Sequence, residues 1–548
     1  MPWGDFFYPI QCHSNLLLLL FQNKHLNVMR NFYSLILLIL PLSLLAQPKN
    51  IMIGDSLNPE EPSIYINPKN PALIMAGANI SKVYLSQDTG RTWTMSKLTS
   101  NSGVWGDPCI SADTAGNFLF LHLANPPQGS WIDRIVFQKY EIGSQSWTTD
   151  SYMGLSTNTQ KAQDKEWIAV DPNTNDMFVT WTEFDKYGST NSLDSSRILF
   201  SKSSDGGTTW SSPIRLSQQS GDCIDSDSTV EGAVPAIGPN GEIYVAWAGP
   251  SGLVFDRSLD TGATWLDHDI AIDPMPGGWD YDIPGISRCN GLPITKCDVS
   301  GGAHNGTIYV NWTDQRNGLS NVDVFLSKST DGGNTWSNPV RVNDDTTQHV
   351  QFLTWMDIDQ STGYLYFVFY DRRNHNDEMT DVYIAISKDG GNSFKNYKIS
   401  ESPFMPAQSV FFGDYNNISV QNGIVRPIWT RLHYGQLSLW TAIINPSTPL
   451  GIIETPTLNT QSQATVYPNP TNNKNFFSFK LHKKAVVHLT VIDAQGKLIQ
   501  EIIPKQIYDA GMYIEAFNAQ SHQLSAGNYY FVLIRDNTRI VREFIINP

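Results

Sequence analysis

The chain has 548 residues, and its 37 Lys and Arg against 52 Asp and Glu give a formal net charge of −15. Coulomb repulsion between so acidic a chain and phosphate argues against nucleic acid as a partner. Aromatic residues make up 11% of the chain beside 40 Gly and 31 Pro, which excludes a disordered or mainly helical chain and predicts a turn-rich, all-β protein.

The N-terminal segment is typical of a secretory signal peptide. Arg30 precedes an apolar run over residues 34–46 that ends in a small residue and is too short for a typical membrane-spanning helix. We expect residues 1–28 to be an over-called extension and residues 29–46 to be the signal peptide. The mature protein is then expected to have no transmembrane span, and an N-terminal membrane anchor is the alternative.

The cysteines agree with export. Cys289 and Cys297 lie eight residues apart in a loop that contains Gly and Pro, and disulfides form outside the cytosol. We therefore predict a disulfide between them. A zinc site is the weaker interpretation, because no CxxC pair or His cluster accompanies them.

One short signature recurs five times, as SQDTGRTW, SSDGGTTW, SLDTGATW, STDGGNTW and SKDGGNSF. Ser and Asp side chains hydrogen-bond a turn backbone, Gly adopts positive φ without steric cost, and the aromatic residue packs beside the turn. We expect the Asp residues to be structural because the turn uses their hydrogen bonds. They are Asp88, Asp205, Asp260, Asp331 and Asp389.

A second repeat sets the number of units. Seven strand-like segments with apolar alternation, from PALIMAGAN to IVRPIWTRL, are spaced about 59 residues apart. The last is followed by one more strand and then a linker. We expect the N-terminal segment Asn50–Ser56 to supply the missing outer strand and so close a ring without free edges.

The recurring signature resembles the Asp box, or BNR repeat, of the sialidase-like β-propellers. The resemblance implies a turn between the two outer strands of each blade, and it implies six blades for hydrolytic sialidases. The seven segments instead predict a seven-bladed propeller over residues 47–447. Six blades and a stray hairpin are the alternative.

The C-terminal region is predicted to be a separate small β-sandwich. A Pro-, Thr-, Ser- and Gln-rich linker over residues 448–465 precedes it. Residues 466–548 open with YPNP and contain a DAQGK turn and an LSAGNYYF hairpin, and they resemble the sorting domain of type IX secretion substrates. The resemblance implies a Bacteroidota-type cell, type IX machinery as a partner, and release or attachment at the outer surface. A carbohydrate-binding sandwich is the alternative.

Carboxylates stand where the innermost strands are expected to begin, in WGDP, DKEW, EGAVPA, LTWMD and FFGDY. Clustered carboxylates raise one another's pKa and can supply a general acid beside a nucleophile or base. They could equally bind Ca²⁺ or form hydrogen bonds to loop backbones. No cofactor is certain. The candidate catalytic residues are Asp107, Glu166, Glu231, Asp357 and Asp414, with Asp164 beside them.

Cationic and aromatic side chains follow in the neighbouring loops. Arg binds carboxylates bidentately, and the resemblance implies three Arg on an acidic sugar, although no F/Y-R-I-P segment supplies the first. Ion pairing of each Arg with an adjacent Asp, and packing of the two rings, are the alternatives. The candidate substrate-binding residues are Arg316, Arg372, Arg373, Arg431, Trp279 and Tyr281.

These features predict a secreted, sialidase-like propeller that acts on extracellular or surface glycans or glycoproteins, as a glycoside hydrolase in one interpretation. A non-catalytic glycan- or protein-binding propeller is the other. The boxes do not discriminate the two, because they belong to the scaffold. A peptidase has no G-x-S-x-G or H-E-x-x-H signal in the chain.

Overall fold

Strands make up almost every element of the structure, a computed structural model that describes residues 48–433, 435–444, 464–471, 474–481, 483–494, 496–536 and 538–547. The helical element among them is one short 3₁₀ turn, Gln520–His522. The predicted N-terminal extension, the predicted signal peptide and nearly all of the predicted linker lie outside the described residues.

The strands between residues 49 and 443 form seven antiparallel sheets. In chain order they are β1 Lys49–Gly54, β2 Ser63–Ile66, β3 Ile74–Ala78, β4 Lys82–Ser86, β5 Thr94–Lys97, β6 Gly106–Ala112, β7 Phe118–Leu123, β8 Ile135–Glu141, β9 Ser146–Trp147, β10 Ser151–Met153, β11 Ala162–Val170, β12 Met177–Phe184, β13 Ser196–Ser203, β14 Ile214–Arg215, β15 Glu231–Ile237, β16 Ile243–Gly249, β17 Gly252–Ser258, β18 Ile270–Asp273, β19 Ile294–Cys297, β20 Ile308–Asp314, β21 Asp323–Ser329, β22 Val340–Arg341, β23 Gln351–Asp359, β24 Tyr364–Asp371, β25 Asp381–Ser387, β26 Lys395–Lys398, β27 Asn417–Gln421, β28 Ile424–His433 and β29 Gln436–Ile443.

The seven sheets are the blades of a propeller. Within each blade the strands follow one another from the axis outward, and blades one to seven begin with β2, β6, β11, β15, β19, β23 and β27. These innermost strands contact one another in that order, and β27 returns to β2. The prediction of an all-β propeller with seven blades is therefore confirmed. We call the face at which the innermost strands begin the mouth.

The N-terminal strand closes the ring. β1 pairs antiparallel with β29, from Lys49 opposite Ile443 onward, and completes blade seven as predicted. The backbone N–H of Asn50 also donates to the Glu401 carboxylate at 2.9 Å, and its side-chain amide donates to the Ile399 carbonyl at 2.7 Å. Because those residues follow β26, the closing strand is held by blade six as well.

Each box is a hydrogen-bonded turn between the third and fourth strands of a blade. In blade three the Ser203 hydroxyl donates to the Asp205 carboxylate at 2.8 Å and accepts from the Gly207 amide at 2.9 Å. The Thr209 hydroxyl and amide donate to the same carboxylate at 2.6 and 2.9 Å. The hydrogen bonds from Thr209 and Ser203 lower the pKa of Asp205 to about 2. The carboxylate is thus occupied by the turn.

The boxes also join neighbouring blades. Gly207 has a φ of +85°, and a Cβ there would lie 2.2 Å from the Phe137 ring of blade two. The Trp210 ring meets the same Phe137 ring edge to face, with the two ring centroids 5.4 Å apart. The box tryptophans of blades four and five repeat this contact, as Trp265 with Phe200 at 5.0 Å and Trp336 with Phe255 at 5.1 Å. The Gly and Trp positions of the signature therefore position each of these blades against the preceding one.

The C-terminal residues form a small β-sandwich, as predicted. One sheet has the order β30-β31-β34 and the other β33-β32-β35-β36. Phe477 and Phe531 stack at 5.1 Å in the core between the two sheets. The strands are β30 Ala464–Tyr467, β31 Lys474–Leu481, β32 Ala485–Asp493, β33 Leu498–Tyr508, β34 Gly511–Asn518, β35 Gly527–Arg535 and β36 Thr538–Ile546.

Candidate functional site

Four innermost strands carry a bulge at the mouth. The pairing of β6, β11, β15 and β23 with their neighbours shifts register near the first residues of each strand. A bulge redirects side chains that would otherwise follow the regular alternation. Each bulge contains a residue with positive φ, namely Asp107, Lys165, Gly232 and Leu353, and Gly106 adds a second in β6. The bulges of β6 and β11 turn Asp107 and Lys165 towards each other near the axis.

Lys165 is the centre of an ionic cluster at the mouth. Its ammonium nitrogen lies 2.9 Å from an Asp414 oxygen, 3.2 Å from an Asp107 oxygen and 3.6 Å from an Asp164 oxygen. Lys165 is buried, as are its three partners. Because one ammonium contacts both carboxylates, the Asp107 and Asp414 oxygens lie within about 6 Å of each other. Blades two, three and seven therefore meet through this cation.

Arg288 is the second cation of the cluster. Its Nε donates to Asp414 at 2.8 Å in a bidentate pair, and its Nη1 lies 3.6 Å from Asp225. The Arg288 side chain is 40% exposed, whereas that of Asp414 is 3% exposed. Arg288 thus connects the buried cluster to the solvent-facing surface of the mouth.

The pKa values of the carboxyl groups in and beside the cluster shift in opposite directions. Burial by itself raises the pKa of each of them, but Lys165 and further hydrogen bonds hold the pKa of Asp107 and Asp414 below the usual range. Burial and neighbouring carboxylates raise the pKa of Glu61, Asp164 and Glu231 well above it. Lys165 and Arg288 therefore favour the ionised forms of Asp107 and Asp414, whereas the surroundings of Glu61, Asp164 and Glu231 favour their protonated forms.

Little space remains between these side chains. The spaces left among the described residues measure about 20 Å³ beside Glu231 and Arg288 and about 30 Å³ beside Trp167 and Trp355. A water molecule needs about 10–15 Å³ measured in this way. The two spaces have room for about one to three waters each and are too small for a sugar ring, so the cluster closes the axis.

Further along the axis lie an aromatic layer and a second ion pair. The Trp167 and Trp355 rings are 4.5 Å apart, and Tyr415 packs 5.2 Å from Trp167. Lys296 pairs with Asp357 at 3.0 Å, and Asp357 also accepts from a backbone amide. Asp357 therefore does not join the mouth cluster.

Glu166 is buried beside the mouth cluster without a hydrogen bond to it. It is 1% exposed, and within the described chain neither of its oxygens has a hydrogen-bond partner. Burial raises its pKa well above the usual range, and Asp107 and Asp164 add to the rise. Of the five predicted catalytic residues, Asp107 and Asp414 contact Lys165, and Glu231 lines the space beside them. Glu166 lies next to this cluster without a hydrogen bond, and Asp357 pairs with Lys296 instead.

An exposed aromatic platform adjoins the cluster. Trp105, just before β6, and Trp131, before β8, are 39% and 43% exposed, and their rings meet edge to face at 5.9 Å. Tyr187, in the loop after β12, packs against Trp131 at 5.8 Å, and its hydroxyl donates to Asp225. Since Asp225 also faces Arg288, the platform is continuous with the charged mouth.

The predicted substrate-binding arginines do not converge. Arg316 pairs with Asp273 at 2.6 Å and with Asp314. Within the described chain none of the four lines the space around Lys165. The D-x-R spacing explains Arg316 and Arg373, because each bonds the Asp two residues before it.

The remaining two arginines and the two predicted aromatic residues pack locally. Arg372 donates to the Thr380 hydroxyl at 3.0 Å, and Arg431 donates to the Ser402 hydroxyl at 2.8 Å. Trp279 and Tyr281 are each 5% exposed. Trp279 and Tyr281 therefore pack over the blades, which is the alternative to stacking on a sugar.

The predicted disulfide is wrong. Cys289 and Cys297 are free thiols, as are Cys109 and Cys223. The pair is separated because Cys297 lies in β19 and packs into the core between blades four and five, whereas Cys289 packs into the main core. Burial raises the pKa of Cys297 to about 12.

Among the described residues, no group of three or more His, Cys, Asp and Glu side chains is arranged so that it could hold a metal ion. Three of the carboxylates that were candidates for Ca²⁺, Asp107, Asp164 and Asp414, contact the Lys165 ammonium. No helix among the described residues has the length and apolarity needed to cross a membrane.

The sequence reasoning missed Lys165, Arg288, Glu61 and the aromatic platform. Lys165 stands between two carboxylates in the DKEW segment, and Glu61 precedes β2 in the same position as the other strand-entry carboxylates. Both follow the strand-entry pattern and were within reach of the sequence. Arg288 and Trp131 lie in loops with no recurring pattern, so only their placement in space reveals them.

Comparisons with known proteins bear on the two domains differently. Residues 465–547 match the family of secretion system C-terminal sorting domains. The amino-acid sequence matches no curated protein.

Among solved structures, the Hadza microbial sialidase Hz136 is 13% identical, with 68% of this chain and 73% of that chain covered and a TM-score of 0.37. A NanB sialidase from Streptococcus pneumoniae is 8% identical over 68% and 83%, with a TM-score of 0.40. An ulvan lyase of polysaccharide lyase family PL25 is 12% identical over 72% and 96%, with a TM-score of 0.43. Likenesses of this size do not bear on activity.

The fold and the matched domain define a seven-bladed Asp-box β-propeller that carries a C-terminal sorting domain. Its C-terminal domain belongs to the type IX secretion sorting domains, and the protein is secreted or attached to the outer cell surface.

Proposed function

We propose that the protein binds extracellular glycans at the mouth of its propeller. The observation that carries this proposal is the platform beside Arg288, made of the exposed Trp105 and Trp131 and the half-buried Tyr187. Aromatic rings pack against the apolar faces of sugar rings, and polar groups at the edges of the aromatic platform form hydrogen bonds with the sugar hydroxyls. Two large exposed tryptophans in contact are otherwise a liability on a secreted surface.

The closed axis supports binding without hydrolysis. Glycoside hydrolysis needs two carboxyl groups on either side of the scissile bond. Asp107 and Asp414 are instead buried and neutralised by Lys165 and Arg288, and the space beside them admits only water. A glycan therefore lies over the mouth and not inside it.

Catalysis is the second candidate, and the opposite directions in which the pKa values of Glu231 and Asp414 shift favour it. A carboxyl that keeps its proton beside one that stays ionised is the arrangement of an acid–base pair. Glu231 would be the acid, and Asp414 the nucleophile or base. This role requires the mouth to open far enough to admit a sugar ring.

A glycan panel tests both candidates. Sialylated, uronate-containing, sulfated and uncharged oligosaccharides are screened for binding to the purified protein, and each is then analysed for breakdown products by chromatography. We expect binding to at least one class without products, and loss of binding in Trp105→Ala and Trp131→Ala. Tyr152→Ala is the matched control, because Tyr152 is 47% exposed on the outer strand of the same blade.

A wild-type protein that binds none of the panel, or tryptophan variants that bind as wild type does, would refute the proposal. Products that disappear in Glu231→Gln and Asp414→Asn would instead establish the catalytic candidate.

A further inference from the structure

A groove on the mouth lies between blades one and two, next to the aromatic platform. It encloses about 520 Å³, which is within the usual size of a ligand pocket. Its walls include Leu57, Ile80, Leu98 and Val104. Val104 immediately precedes Trp105, so the groove continues the platform away from the axis.

Two lysines face each other in this groove. Lys82 begins β4 and Lys97 ends β5, and the two are directly opposite in the antiparallel pair. Directly opposed residues point their side chains to the same face, and like charges in that position are destabilising. Within the described residues Lys97 has no ion-pair partner, and Lys82 donates to the Asn79 carbonyl. Lys82 is 6% exposed and burial lowers its pKa, so the exposed Lys97 presents the main charge of the groove and Lys82 lines it.

The carboxyl of Glu60 neutralises this pair only in part. Burial raises the pKa of Glu60 to about 7 although Lys82 lowers it, and one of its oxygens is buried without a hydrogen-bond partner. The groove thus combines two ammonium groups with a carboxyl that is partly protonated near neutrality. The ammonium groups can pair with an anion, and the carboxyl can hydrogen-bond with one sugar hydroxyl.

The groove is also joined to the axial cluster. The Asn79 side chain accepts from the Asp107 amide at 2.7 Å and donates to Glu61. Gly106 leaves room for this contact, since a Cβ there would lie 2.3 Å from the Asn79 oxygen. The wall of the groove and the edge of the cluster are therefore one hydrogen-bonded unit, which holds the groove in a fixed position relative to the platform.

We infer that the groove between blades one and two is a subsite for one anionic sugar residue of an extended acidic polysaccharide, with Lys82 and Lys97 contacting its carboxylate or sulfate. The inference rests on the proposed function and deepens it by naming the substrate class. The neighbouring residues of the polysaccharide lie across Trp105 and Trp131, and its apolar ring faces meet Ile80 and Leu57, which are 46% and 73% exposed.

Calorimetry with three probes tests the inference at about 150 mM salt, where long-range attraction is screened. The probes are a galacturonic acid hexamer, a sulfated galactan hexamer and an uncharged galactan hexamer. The full-length protein is compared with Lys97→Glu, whose side chain is exposed, and with Lys69→Glu, an exposed lysine in the β2–β3 turn at the opposite face.

We expect at least one anionic hexamer to bind more tightly than the uncharged one. Lys97→Glu should weaken that binding about tenfold or more, since the lost contact is a charge-assisted hydrogen bond. Lys69→Glu should bind as wild type does. The carboxylated and sulfated arms identify which anion the groove takes.

Equal affinity of Lys97→Glu and wild type for the anionic hexamers would overturn the inference, as would equal affinity of wild type for charged and uncharged hexamers. A Trp105→Ala arm separates the two proposals. Binding that depends on Lys97 but not on Trp105 refutes the platform and keeps the groove, and the reverse pattern refutes the groove and keeps the platform.

Discussion

The ammonium of Lys165, on blade three, lies 2.9 Å from the carboxylate of Asp414, at the entry to blade seven, and the pair spans the mouth of the propeller near its axis. Each residue belongs to a different part of the chain, and the bulge of β11 turns Lys165 inward to make the contact. The pair therefore depends on the closed ring of blades and in turn helps to hold it together.

Removing the cation tests this structural role. Lys165→Met should lower the free energy of unfolding by about 3–5 kcal/mol, because it leaves Asp107 and Asp414 buried without Lys165. Chemical denaturation measures the change, and Lys69→Met is the exposed control. Adding Asp107→Asn to Lys165→Met should recover part of the loss. A single variant as stable as wild type would show that the cluster does not stabilise the ring.

The box tryptophans offer a second test. Trp336→Ala should cost about 2–3 kcal/mol, less than the about 3–5 kcal/mol of a fully buried ring, because Trp336 is half-buried against Phe255. Trp336→Phe should lose less than half of that, since an aromatic edge remains. An unchanged melting temperature in Trp336→Ala would contradict the interblade role of the box.

Acid should weaken the boxes in a defined range. Hydrogen bonds within the turn lower the pKa of Asp205, Asp260, Asp331 and Asp389 to about 2, below the about 3.9 of an unfolded chain. Their contribution to stability is complete above about pH 4 and disappears as the pH falls towards 2. Asp331→Asn should therefore reduce the decline in melting temperature between pH 4 and 2. A decline as steep as that of wild type would refute the assignment.

The four buried cysteines predict a chemical result. Cys109, Cys223, Cys289 and Cys297 are buried and reduced, and reactivity requires an accessible thiolate. A thiol reagent should label none of them in the native protein and all four after denaturation without reductant. Two labelled thiols after denaturation would indicate a disulfide and contradict the structure.

The sequence predicts the scaffold well because its signals are local and repeated. The box turns, the alternation within each strand and the spacing of the repeats lie within short segments, and the missing strand of blade seven follows from counting them. The strand-entry carboxylates belong to the same repeat, which is why the position of Asp107, Glu231 and Asp414 at the mouth could be predicted, while their catalytic role stays a prediction.

The site itself depends on contacts between distant residues. Lys165 and Asp414 are 249 residues apart along the chain, and no spacing rule connects them. Arg316 and Arg373 were expected to bind an acidic sugar at the mouth, but each instead forms an ion pair with the Asp two residues before it. Trp105 opens the WGDP segment, yet its exposure follows only from where β6 begins.

The most direct test of glycan binding at the mouth is calorimetry of the purified full-length protein with the oligosaccharide that binds best, beside the Trp105→Ala, Trp131→Ala double variant. We predict saturable binding to wild type, no breakdown product in the recovered sample, and loss of binding in the double variant with an unchanged melting temperature. Undiminished binding by the double variant would contradict the account.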